Sequence, residues 1–160
     1  MCVRIISIVF FLIQVVCISA FAGENADLRL QVVEQPGNAI LLEFQVERGD
    51  LFYIDYIHSS DHTPVHDIFR MDEGGIVLVE EDFDWYGSGL ESLTNDGAKV
   101  SFSGDKTRVL LNRKCPRFLL RVGRVAGHVI TYKDTSIPLL SIADGGDSVW
   151  IRLVKEGGKE

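Results

Sequence analysis

Along much of the chain, apolar and polar side chains alternate with a period of two. In residues 39–47, Ile40, Leu42, Phe44 and Val46 share one face while Glu43, Gln45 and Glu47 share the other, the mark of a half-buried strand. Arg48-Gly49-Asp50 then turns the chain into 51–58, rich in Phe, Tyr and Ile. Strands follow over 64–71 and 76–83, separated by Asp72-Glu73-Gly74-Gly75, a hairpin signal. The second half repeats the style over 99–103, 108–111, 118–122, 128–132 and 149–154. Asn95-Asp96-Gly97, Gly104-Asp105-Lys106 and Asp144-Gly145-Gly146-Asp147 supply the turns. No window sustains a 3.6-residue stripe, and 85–95 has room for one helical turn at most. Nine or ten short strands at this spacing predict an all-β, antiparallel sandwich or barrel.

The N-terminus breaks the pattern. Residues 1–22 hold Arg4 as their only charge, an apolar run from Ile5 to Val16, and small residues at the end. That is the layout of an export signal, and Ala20-Phe21-Ala22 puts the preferred cleavage before Gly23. The rival reading is an uncleaved anchor, because Ile5 to Ala22 approaches the roughly 20 residues of a spanning helix. Either fate places the body, 23–160, in the periplasm as one β domain. Cys17 makes a poor lipidation site with bulky Val15 and Val16 before it.

Composition narrows the class. The chain is 46% hydrophobic and 24% charged, which fits one packed domain and not a disordered tail. Beyond residue 22 remain 15 Lys and Arg against 23 Asp and Glu, a net charge of −8. That balance argues against a nucleic-acid partner, which calls for clustered cations. Cys115 is the one thiol of the body, so neither an internal disulfide nor a Cys-based zinc site can form. It is read as a small hydrophobe at a strand end.

The densest polar run is 55–67, with His58, His62 and His66 at spacing four. Pro64 and the flanking β-formers point to a hairpin bent near His62, which would set His58 opposite His66. Two imidazoles so placed, with Asp61 or Asp67 as third ligand, would suit Zn²⁺ or Cu²⁺. The plainer reading is solvated loop histidines, and no resident cofactor is expected. Ser59 beside His58 is no nucleophile and base, since strand neighbours face opposite ways. Gly87-Ser88-Gly89 lacks the spacing of a nucleophile elbow, and no catalytic set assembles, so the expectation is a non-enzyme. Asp82, Asp84 and Gly87 match half a calcium loop, but Tyr86 stands where an oxygen ligand belongs. Tyr53, Tyr56, Trp85 and Tyr86 sit near these loops and would suit a partner-binding rim.

Tyr56-Ile57-His58-Ser59, then Thr63-Pro64-Val65, then 74–80, then Tyr86-Gly87-Ser88-Gly89-Leu90 together carry a resemblance. In this combination, over roughly 30–154, the chain resembles a family of small exported bacterial proteins known as a domain of unknown function. Such proteins are often encoded beside, or fused to, TRAP transporters of the TAXI type. The resemblance implies an accessory role in solute uptake, with the transporter's membrane subunit or solute-binding protein as partner. It implies His58, Ser59, Thr63, Pro64, Gly87, Gly89 and Leu90 as a structural and binding signature. Two departures stand out: Glu91 replaces the usual Pro, and His62 and His66 fall at variable positions.

Overall fold

The computed structural model describes residues 28–84 and 97–155. Eleven strands are formed among them: β1 (Leu28–Gln35), β2 (Ile40–Val46), β3 (Leu51–Ile57), β4 (Pro64–Asp72), β5 (Gly75–Phe83) and β6 (Lys99–Ser103) come first. Then follow β7 (Lys106–Cys115), β8 (Arg117–Arg121), β9 (Val129–Tyr132), β10 (Thr135–Pro138) and β11 (Ser148–Lys155), with a short 3-10 turn at Leu139–Ser141. A four-stranded sheet has the order β2-β1-β11-β8, and a seven-stranded sheet has the order β10-β9-β3-β4-β5-β7-β6. Every pairing is antiparallel. The all-β expectation is borne out, and each of the nine strands read from alternation overlaps an observed one, several of them with ends that differ by a residue or more.

The alternation meets its partner between the sheets. Leu30, Val32 and Ile151 from the smaller sheet and Phe52, Ile54, Met71 and Ile130 from the larger are all essentially solvent-free and share one core. Aromatic rings bridge the layers. Phe52 stacks on Phe69 at 4.8 Å and Phe69 on Phe118 at 5.1 Å, while Phe44 tilts against Tyr132 at 5.4 Å. Offset rings at these spacings add attraction beyond the area they bury. A second, smaller core of Val65, Phe83 and Val109 lies on the larger sheet.

Turn chemistry behaves as its residues dictate. Asp72 pairs with Gly75 across a two-residue turn, and Asp72 Oδ1 accepts the Glu73 N–H at 2.8 Å. Gly75 has φ +124°, and a Cβ there would stand 2.7 Å from Pro116 Cα, so only glycine fits. Pro116 is where the chain leaves β7 of one sheet for β8 of the other.

Two strands went unread. In β1 the alternation fails at Val33, where the register with β2 shifts. In β10 four residues end on Pro138 at a sheet edge, a place proline tolerates because no ladder partner is needed. The 85–95 turn, the export segment, and Trp85 and Tyr86 lie outside the described residues. Cys115 ends β7 half-buried, its Sγ 3.7 Å from the Arg113 carbonyl.

Candidate functional site

The β3–β4 hairpin is centred between Ser60 and Asp61, ahead of the bend at His62 that the histidine spacing suggests. Ile57 pairs with Pro64 and Asp55 with His66; the His58 N–H donates to Thr63 O at 2.8 Å and the His62 N–H to His58 O at 2.9 Å. His62, with φ 56°, sits in the left-handed turn. His58 therefore closes the turn with Thr63 and does not face His66. A hairpin's register follows from its loop length, which spacing between histidines does not report. The imagined His58–His66 ligand pair is not formed. Among the described residues, no group of three or more His, Cys, Asp or Glu side chains gathers as a metal site.

His58 and His66 instead each have their own carboxylate. His58 Nδ1 lies 3.2 Å from Asp61 Oδ2 and 3.0 Å from Ser60 Oγ, while Ser60 donates to Asp61 Oδ1 at 2.6 Å. Hydroxyl and carboxylate thus converge on one ring nitrogen. In a nucleophile relay they would sit on opposite nitrogens. His66 Nδ1 is 2.6 Å from Asp55 Oδ1, and Tyr53 stacks on its ring at 5.2 Å.

These two clusters open into neighbouring recesses. The first, about 460 Å³, is lined by His58 and Ser59 together with Tyr56, Arg121, Arg124 and His128. The second, about 380 Å³, is lined by Asp55, Pro64, His66, Asp82, Asp84 and Lys106. Tyr56, Ile57 and Ala126 border both, and the Ile57 N–H donating to Ala126 O at 2.8 Å fixes the ridge between them. One recess is basic and the other acidic.

The loop from Val122 to His128 builds the basic side. It is stitched to the turn before β11 by Val122 N–H to Asp147 O at 2.8 Å and Gly146 N–H to Val122 O at 2.7 Å. Arg124 lies across that turn, where a Cβ on Gly145 would collide with its Cγ. Neither Arg121 nor Arg124 has a carboxylate partner among the described residues. Burial holds the His128 imidazole below its ordinary pKa, and its Nδ1 accepts the Gly123 N–H at 3.3 Å. A neutral ring with its proton on Nε2 results.

On the acidic side the half-calcium pattern is used otherwise. Arg108 makes two bonds to Asp82, each 3.0 Å, and Lys106 meets Asp84 at 2.7 Å. Of the signature residues, His58 and Ser59 line the first recess, Thr63 closes the turn and Pro64 lines the second recess; Gly87, Gly89 and Leu90 lie outside the described residues. Tyr53 and Tyr56, three positions apart on β3 and so on opposite faces, do not join in one rim: Tyr53 is on His66, and Tyr56 tilts on His128 at 5.3 Å.

Behind Tyr56 lies a feature that motif reading missed. Asp67 and Glu81 are cross-strand partners of β4 and β5, and Asp67 Oδ1 and Glu81 Oε2 are buried without a hydrogen-bond partner. Burial, then the charges of Glu81 and Asp55, push the Asp67 carboxyl up to about 8. Burial pushes Glu81 up to about 7 against the opposing pull of Arg113. Burial, reinforced by both carboxylates, raises the Tyr56 phenol as well. Asp67 was legible in principle, being a carboxylate at an inward beat of Val65, Phe69 and Met71. Glu81 was not. A bulge after Leu78 moves Glu81 to the inside, where uninterrupted alternation from Ile76 and Leu78 would place Glu80.

Fold and site together define a small two-sheet antiparallel β module with a basic and an acidic recess flanking one ridge. The family model for a domain of unknown function, DUF1850, matches residues 52–139, and the chain belongs to that family. The matched stretch contains the ridge, the described part of the signature and the buried carboxyl pair. No curated protein matches the chain, and neither does any solved structure.

Proposed function

We propose that the protein is an exported, non-catalytic binding module that serves a TAXI-type TRAP solute transporter, engaging its membrane subunit or solute-binding protein through the basic recess. One observation carries the reading. The His58-Ser59 step, on which the resemblance to transporter-associated proteins rests, opens beside Arg121 and Arg124, two guanidiniums that no carboxylate among the described residues partners, in an acidic chain. Such a site favours a carboxylate-bearing surface, because a guanidinium pairs with carboxylate in a bidentate way. The non-catalytic part is supported by the Ser60–His58–Asp61 geometry, which clasps a turn.

Val125, 73% exposed at the rim, is the place to install a photo-crosslinking residue in living cells. The expected result is an adduct with a transporter component, recovered from the periplasmic side of the membrane and lost with Arg124→Glu. Normal protein levels with no transporter adduct would refute the proposal.

A further inference from the structure

The outer face of the four-stranded sheet carries a pattern that neither the recesses nor the core explains. Register sets Ile40 opposite Val33, Val33 opposite Trp150, and Trp150 opposite Leu119. These four residues form one straight row across β2, β1, β11 and β8, roughly 14 Å wide at the usual strand spacing. None of them belongs to either core cluster. Alternation turns them away from Leu30, Val32, Ile151 and Leu120, which pack inside; Val33 is itself 1% exposed, so the open apolar surface of the row is chiefly that of Ile40 and Leu119. Ile40 and Leu119 are each 52% exposed.

Arginines flank the row. Arg117 and Arg121 stand at positions −2 and +2 from Leu119 on β8, and alternation puts them on the same face. The Arg117 guanidinium lies 4.6 Å over the Trp150 ring. Arg152 opposes Arg117, and its Nε donates to Gln31 at 3.0 Å. Arg29 completes the set, paired with Glu43 at 2.8 Å. Among the described residues of this face there are thus four guanidiniums and one carboxylate, in a body whose net charge is −8.

We propose that this face rests on an anionic lipid surface. A flush row of Trp, Leu and Ile bordered by arginines matches a bilayer interface, where aromatic rings lie at the headgroup level and guanidiniums meet phosphate. Chain placement favours lipid over an acidic protein. Leu28, which opens β1 of this same sheet, follows the apolar 5–22 segment after five residues, within roughly 20 Å of extended chain. Where that segment is retained as an anchor, the alternative to cleavage before Gly23, this face is held against the membrane. The inference is independent of the transporter reading.

Trp150 itself reports on the contact. In the full chain bearing Trp85→Phe, Trp150 is the sole tryptophan, and its emission is followed on adding vesicles of brominated phosphatidylcholine with or without phosphatidylglycerol. Quenching by the phosphatidylglycerol vesicles is expected, weakened by 0.5 M salt as surface electrostatics require. Arg117→Gln should lower the apparent partitioning roughly fivefold, the effect of one guanidinium near an anionic surface. Leu119→Glu, at a half-exposed position, should abolish quenching with the fold intact by circular dichroism. Unchanged Trp150 emission would overturn the proposal, as would equal quenching by both vesicle types that is indifferent to Arg117→Gln. Because the vesicles contain lipid alone, either negative outcome leaves the crosslinking result at Val125 untouched.

Discussion

Replacing Asp67 by Asn tests the energetic account of the interior most directly. In the folded chain the Asp67 carboxyl is pushed up to about 8, whereas an unfolded aspartate titrates near 3.9. Between those values the native state holds a proton that the unfolded state has released, so stability falls as pH rises. Below pH 4 both states are protonated and Asp67 costs nothing; above about 8 the full cost is present. At roughly 1.4 kcal/mol per pH unit the ceiling is about 6 kcal/mol. Glu81, pushed up to about 7, contributes in the same direction, and the two share one repulsion, so their costs do not add. Asn keeps the shape, cannot ionise, and leaves an unsatisfied amide that costs about 1–3 kcal/mol. The net expectation at pH 9 is a variant more stable than wild type by about 3 kcal/mol, on the order of 10 °C in Tm. Near pH 5 the variant should equal or fall slightly below wild type. Thermal unfolding followed by circular dichroism from pH 5 to 9 reads both curves. A wild-type Tm that stays level or climbs between pH 6 and 9 would refute the reasoning, and so would a variant no more stable at pH 9.

Three further substitutions probe other links in the structure. Gly75→Ala forces a side chain into φ +124° and against Pro116; a loss of about 2–4 kcal/mol in a urea melt is expected, and a neutral result would contradict the tight crossing between sheets. Tyr132→Phe deletes the phenol hydrogen bond to Asp50 Oδ2 at 2.5 Å, for an expected loss of about 1.5–3 kcal/mol at pH 7. Burial alone would raise the Asp50 carboxyl, but the Tyr132 and Glu47 hydrogen bonds and the Lys133 charge bring it below the usual range. Its stabilisation is therefore lost as pH falls through the lowered folded-state pKa, and the difference between variant and wild type should narrow below the ordinary carboxylate range; a gap that does not narrow on acidification would assign the loss to packing. Phe69→Ala removes the ring stacked between Phe52 and Phe118, and a loss of about 3–5 kcal/mol is expected from equilibrium unfolding.

Period-two alternation and glycine-rich turns determined the class of fold and the places where the chain reverses, because facing and positive-φ turns are local properties carried by neighbouring residues. Charge balance and the His58-Ser59 and Thr63-Pro64 steps, likewise local, led to the hairpin that borders the site. Only the tertiary structure decided which strands lie side by side and in what register. The shorter β3–β4 turn separated His58 from His66, and the bulge after Leu78 turned Glu81 inward to face Asp67. Passage of the chain through Pro116 set Leu119 and its flanking arginines beside Trp150. Register comes from turn length, bulges and packing between residues tens of positions apart, so a shift of one residue reverses every side chain without altering the pattern along the chain.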